Sequence, residues 1–347
     1  MNEIASFCYS FKKDITPRAQ NPREPVRCWS EKDVLNGKSV DAYVIILRTR
    51  GCSWAHASGC TMCGYFNDSV GAPVSEDDLR SQFEKAMDRY NGERIVKLFT
   101  SGSFLDAHEI PGSVRNYILT TLRDRAEKIS VESRPEYVKD AVLSEIQQLI
   151  QPKMFEVGIG LETSNDLLRT FAINKGFTLT QYATAAKLLK KHHFNVKTYV
   201  LMKPPFITEK EALDDCIHTT RDIKSSTNLI SLNPTNVQRH TVVEYLWKRD
   251  QYRPAWLWSV VEYLRQSKKI TDAHVKCDVV GGGSMRGAHN CGSCDRMVLD
   301  AIARFSLSQN TVAFNNLECS CKEQWRDQLD SENLSFGSLV DYGRWTP

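Results

Sequence analysis

Short apolar runs alternate with longer amphipathic stretches along this chain, and that rhythm predicts its architecture. Runs at Val40–Leu47, Arg94–Thr100, Lys128–Glu132, Met154–Ile159, Asn195–Leu201 and Asn228–Leu232 are mostly rich in Val and Ile, as buried strands are. Positions 75–90, 113–126, 136–150, 164–171, 178–193, 209–224 and 254–267 carry helical apolar spacing instead. Ser75 with Asp78 and Thr208 with Glu211 supply start signals for two of these helices. Six successive strand–helix units imply right-handed crossovers and a parallel sheet. The fold class is α/β, either a partial (β/α)6 barrel of TIM type or an open doubly wound sheet.

The texture changes at both ends. Residues 1–38, with Pro17, Pro22 and Pro25 closely spaced, read as an extended lead segment. The barrel is expected over 39–270, and 271–347 reads as a cysteine-rich C-terminal extension ending in a polar tail. At 347 residues with 41% hydrophobic content, the chain can bury a large core. It has no run of apolar residues long enough to span a bilayer and no signal-like start, so a cytoplasmic location without membrane contact is expected. Thiols stay reduced there, so the eleven cysteines are expected to serve as metal ligands and buried thiols rather than disulfides. A net charge of +3 does not establish a nucleic-acid partner. The acid-free run from Lys187 to Thr208, with Lys190, Lys191, Lys197 and Lys203, is a basic stretch that reads first as a solvated face and second as a phosphate-attracting patch.

Two cysteine groups change the picture further. Cys52-x7-Cys60-x2-Cys63 follows the first predicted strand, and barrel chemistry sits on the loops after strand C-termini. Three thiolates can hold a [4Fe–4S] cluster with one iron open to a small molecule. With His56 as a fourth ligand they would instead suit zinc. The second group, Cys291-x2-Cys294 with Cys319-x-Cys321, has the pattern of a structural zinc site. Cys277 or His289 could replace Cys321 there, and an auxiliary iron–sulfur cluster is the alternative. Cys8, Cys28 and Cys216 read as ordinary thiols, His192-His193 as a polar helix end, and Trp256 with Trp258 as core.

These motifs in this order resemble the radical S-adenosylmethionine (SAM) superfamily. The first gap of the cysteine loop is longer than that superfamily's usual one. Ser101-Gly102-Ser103-Phe104 occupies the place of its Gly-rich segment. Glu132-Ser133-Arg134-Pro135 resembles the Elongator-like branch, as do Gly160-Leu161-Glu162-Thr163 and Asn174-Lys175-Gly176, although that branch usually has Gln at Glu162 and Arg at Lys175. With Pro254–Ser259 and Gly281–Cys294, the chain is similar over most of its length to the family of radical SAM subunits of archaeosine synthase. The resemblance implies a partial barrel, a cluster on Cys52, Cys60 and Cys63, and SAM held by Ser101, Gly102, Ser103, Glu132, Arg134, Glu162 and Lys175. It implies a tRNA substrate bearing a lysine-modified 7-deazaguanine, a partner subunit that attaches the lysine, and an electron donor. The implied activity is that of a lyase that breaks the lysine carbon–nitrogen bond to leave archaeosine. A different Elongator-like enzyme, or a zinc-dependent RNA-binding module with both cysteine groups structural, are the rival expectations.

Overall fold

The computed structural model describes residues 3–11 and 20–332, so Pro17 and the polar tail beyond 332 lie outside the described residues. All six predicted strands lie in one eight-stranded sheet whose spatial order follows the chain, β1 to β8. They are β2 (Lys38–Ile46), β3 (Ile95–Phe99), β4 (Lys128–Glu132), β5 (Met154–Glu162), β6 (Asn195–Met202) and β7 (Leu229–Pro234), joined in parallel. Two further strands flank them. β1 (Arg27–Leu35) runs antiparallel to β2 across an Asn36-Gly37 turn, and β8 (His274–Cys277) pairs in parallel with β7. Both turn residues have positive φ, 52° and 74°, the backbone a two-residue hairpin demands.

Strand alternation explains the two faces of the sheet. Tyr43, Ile45, Val96, Leu98, Val131, Val157, Val200, Leu232 and Val275 point outward into a continuous apolar core beneath the helices. In chain order the helices begin α1 (Glu3–Ser10), α2 (Ser53–Ala57), α3 (Glu76–Met87), α4 (Gly112–Arg123), α5 (Asp140–Ile150), α6 (Leu179–Lys191), α7 (Glu209–Ile223), α8 (Val242–Trp247) and α9 (Leu257–Ile270), of which α3 to α7 and α9 cover the sheet. The Ser75 hydroxyl accepts the Asp78 N–H, and reciprocal capping boxes start α6 at Thr178–Gln181 and α7 at Thr208–Glu211. The helix predicted over 164–171 is instead a π-helical turn, Leu168–Ile173. Buried Arg169 donates from that turn to the Leu161 and Thr163 carbonyls, tying it to the end of β5.

The inner face is polar above a small apolar floor of Leu35, Val40, Ala42, Ile95 and Met154. Lys128 meets Glu156 at 2.5 Å, and Lys97 meets Glu31 at 2.6 Å and also Asp33. The sheet curls so far that Lys276 of β8 lies 3.8 Å from Asp33 of β1. The architecture is therefore a partial barrel, not an open sheet, with charged side chains bridging its seam. Beyond β8, α10 (Asp295–Ser308) and α11 (Cys321–Glu332) pack against the barrel. Trp325 Nε1 donates to Ser259 Oγ at 2.8 Å, and Trp256 Nε1 to Gln328 Oε1 at 2.8 Å. Trp256 and Trp258 are buried, as core residues should be. Among the described residues no helix is long and apolar enough to cross a membrane.

The basic run from Lys187 does not form one patch. Lys187, Lys190 and Lys191 are exposed on α6, while Lys197 and Lys203 are 3% and 6% exposed. Lys203 pairs with buried Glu209 at 2.7 Å. Burial divides the run because it passes from a helix surface into a strand facing the barrel interior.

Candidate cluster and metal sites

Cys52 directly precedes a short helix, α2 (Ser53–Ala57), in the loop after β2. The loop is pinned to the turn after the π-helix. Trp54 Nε1 donates to the Asn174 carbonyl at 2.7 Å, and Asn174 Nδ2 donates to Ser58 Oγ and the Gly59 carbonyl, both at 2.7 Å. Thr61 N–H donates to the Ile173 carbonyl at 3.0 Å. Cys60 packs with Ile173 and Leu201, with Trp54, Met62 and Cys63 at the margin. These bonds fix a loop whose composition gives it little apolar surface to bury.

The strand-end residues converge on these thiols. Arg134 pairs with Glu136 at 2.5 Å, donates to the Lys175 carbonyl at 3.0 Å, and lies over the rings of Trp54 and Phe177. Burial pushes the Cys52 thiol up, while the Arg134 guanidinium pulls it down and Cys60 and Glu109 oppose that pull. Lys175 pairs with Glu162 at 2.5 Å, and Glu162 sits at a φ of 71° where β5 is irregular. Burial raises the Glu132 carboxyl; Lys197, a hydrogen bond from Tyr199 and Lys175 act against this. Glycines let these groups approach the backbone more closely than a side chain would allow. A Cβ on Gly102 would lie 2.7 Å from Cys52 Cα, and one on Gly160 would lie 2.8 Å from Lys175 Nζ.

Two residues here escaped the sequence reading. Glu109 is buried, accepts Thr49 Oγ1 and the Ser103 N–H at 2.6 Å each, and lies behind Gly102. Gln238, after β7, accepts the Gly64 N–H at 2.5 Å. Neither stands in a motif; Glu109 bonds Ser103 locally but also Thr49 across 60 residues, and Gln238 reaches Gly64 across 174. His56, weighed as a fourth ligand, places Nε2 3.0 Å from the Arg50 carbonyl.

The second cysteine group is compact. Cys291, Cys294, Cys319 and Cys321 place all their sulfurs within 4.8 Å of one another, the one such group of ligand atoms among the described residues. Cys291–Cys294, Cys291–Cys319 and Cys294–Cys321 are separated by 4.0, 3.7 and 3.7 Å. A tetrahedral ion with metal–sulfur bonds of about 2.3 Å spaces its sulfurs about 3.8 Å apart. The donor set therefore fits one tetrahedral ion, and the four-iron alternative needs wider spacing. Burial pushes the Cys291 thiol up, but N–H groups of Ser293 and Cys294 and neighbouring thiols bring it down to about 6. Trp258 Nε1 lies 3.3 Å from Cys321 Sγ and ties the quartet to α9. Cys277 stays in the barrel core, and His289 Nδ1 lies 2.8 Å from the Gly287 carbonyl, so Cys321 completes the group.

No protein-family model matches the chain. It is 41% identical over 334 residues to the archaeosine synthase subunit beta of Methanosarcina acetivorans, covering 95% of this chain and 96% of that protein. The chain belongs to the archaeosine synthase subunit beta family. The subunit beta of Thermococcus kodakarensis is 36% identical over 316 residues, covering 89% of this chain and 98% of that protein. Among solved structures, methylornithine synthase is similar at a TM-score of 0.49 and 11% identity, over 79% of this chain and 69% of that one. The archaeal Elp3 of Methanocaldococcus infernus has a TM-score of 0.47 and 14% identity, over 65% of this chain and 59% of that one. In this subunit beta family member, the candidate cofactor and metal ligands lie at two places: the barrel mouth, and the quartet beside α9.

Proposed function

We propose that this chain is the radical SAM subunit of an archaeosine synthase. It acts as a lyase on tRNA whose D-arm 7-cyano-7-deazaguanine carries lysine attached by a partner subunit, and it breaks the lysine carbon–nitrogen bond to leave the amidine of archaeosine. Full-length kinship to proteins named archaeosine synthase subunit beta supports the reading. The observation that carries it is the three-cysteine loop held at the barrel mouth against Arg134 and Lys175. A [4Fe–4S] cluster on Cys52, Cys60 and Cys63, given an electron by a donor, would supply reductive cleavage of bound SAM to a 5′-deoxyadenosyl radical.

The remaining work falls to side chains. Arg134 and Lys175 would receive the SAM carboxylate, exchanging part of their pairing with Glu136 and Glu162. Glu132 and Glu162 offer oxygens to its amine and ribose hydroxyls. Ser101, Gly102 and Ser103 form a strap that lets backbone groups approach, fixed where Ser103 Oγ accepts the Arg134 N–H at 3.0 Å. Zinc on Cys291, Cys294, Cys319 and Cys321 would pin α10 and α11 to the barrel.

Reduced protein mixed with lysine-adducted tRNA and SAM should yield 5′-deoxyadenosine together with the archaeosine nucleoside. Deoxyadenosine without a change in nucleoside mass would favour another substrate, and neither product would favour an RNA-binding module. Gly102→Val should press on buried Glu109 and on Cys52 Cα, cut iron loading about tenfold and lower the melting temperature by a few degrees, because branched bulk cannot enter a filled contact without moving backbone. Anaerobic iron counts on the purified variant check this.

A further inference from the structure

Lys197 lies inside the barrel, 3% exposed, with no ion pair or hydrogen bond to any described residue. Its ammonium sits 4.3 Å from the Tyr199 ring centroid and 5.8 Å from that of Phe99. The other buried lysines on the described strands are paired. Lys97 holds Glu31 and Asp33, Lys128 holds Glu156, and Lys276 holds Asp278 at 3.2 Å. The three donors of Lys197 thus have no protein acceptor at a buried position, where an unpaired cation is costly. Burial, then Lys276 and Lys97, pull its pKa down to about 8, against the weaker opposing pull of Asp278 and Glu156.

Its place in the sheet connects it to the mouth. In register, Lys197 and Glu132 flank Gly158, whose missing side chain leaves room beside Tyr199 and Glu132. On the same face of β6, Tyr199 and then Leu201 lead upward to the cysteine loop. The Tyr199 hydroxyl donates to Glu132, and Glu132 senses Lys175 and Glu162 at the mouth. A polar column therefore runs from the cluster cysteines down to one unpaired ammonium.

We propose that Lys197 is the receptor for a carboxylate at the free end of the substrate's amino-acid arm, reaching down the barrel from the reacting carbon–nitrogen bond. The proposal rests on the functional reading above and adds to it the part of the substrate that is recognised. The Lys197–carboxylate pair would supply the missing partner, and an arm lacking that group would leave both ammonium and interior unsatisfied. The same logic explains why the chain tolerates a charge that lowers its own stability.

The test has two arms. In the first, the protein is melted with free L-lysine or with cadaverine, which has both amines and no carboxylate. L-lysine should raise the melting temperature of the wild type by about 2 °C or more, cadaverine should not, and Lys197→Met should respond to neither. No L-lysine shift in the wild type, equal shifts by the two probes, or an unchanged L-lysine shift in Lys197→Met each overturn the proposal whether or not the protein is active. In the second arm, tRNAs carrying lysine or cadaverine adducts are compared. Wild type should favour the lysine arm on the order of 100-fold in kcat/KM, and Lys197→Met should lose most of that preference while melting no lower than wild type. Absence of product from wild type with either tRNA would count against the functional reading, and the melting arm would still decide the role of Lys197.

Discussion

Cys52→Ala is expected to lose the cluster and all SAM cleavage while the barrel stays folded. Cys52 stands outside the sheet, at the start of a five-residue helix, and contributes no strand or core-helix packing. Removing one of three thiolates leaves two, and a four-iron cluster cannot be retained on two local ligands with full occupancy. The loop itself stays anchored, because Trp54, Ser58, Gly59 and Thr61 keep their bonds to residues 173–174. Anaerobic iron and sulfide counts, with 5′-deoxyadenosine formation, measure the loss, and circular dichroism measures the fold. An intact cluster in this variant would refute the ligand assignment.

Cys294→Ser is expected to act the other way, on stability before chemistry. Cys294 is buried, its sulfur lies 3.7 Å from Cys321, and Asn290 Nδ2 donates to it at 3.3 Å. The quartet joins the start of α10 to the start of α11, and α11 in turn covers α7 and α9 through Trp325. Loss of a bound tetrahedral ion should lower unfolding free energy by about 4 kcal/mol or more, the range seen when a metal is lost. Zinc per chain should fall toward zero with iron per chain unchanged. If iron instead fell by half, an auxiliary cluster would replace zinc in the assignment.

The strands most open to reading were those with outward Val, Ile and Leu, since period-two burial marks them even when the inward residues are Lys97, Lys128 or Lys197. β1 was missed because Glu31, Lys32 and Asp33 make it look like loop, although the Asn36-Gly37 pair was a hairpin signal in plain view. β8 spans only four residues, too few for a period to show. At the mouth, the cysteine spacing and the strand-end acids and bases were legible as local motifs. Glu109 and Gln238 were not, because their roles come from contacts 60 and 174 residues away. Lys197 was visible only as one more cation in a basic run; its isolation emerges once the neighbouring lysines are seen with their acids.

The Asp33 seam has a further consequence for the chain in solution. Strands at the two ends of any unclosed sheet offer spare amide and carbonyl groups to a passing strand, which is how misassembly begins. Here the ends are drawn toward each other by a carboxylate on the first strand that lies near Lys276 of the last strand and Lys97 of the third, and those charges would have to be stripped of partners before a foreign strand could insert. The clasp thus guards against edge-to-edge aggregation while sparing the molecule a rigid ladder on that side.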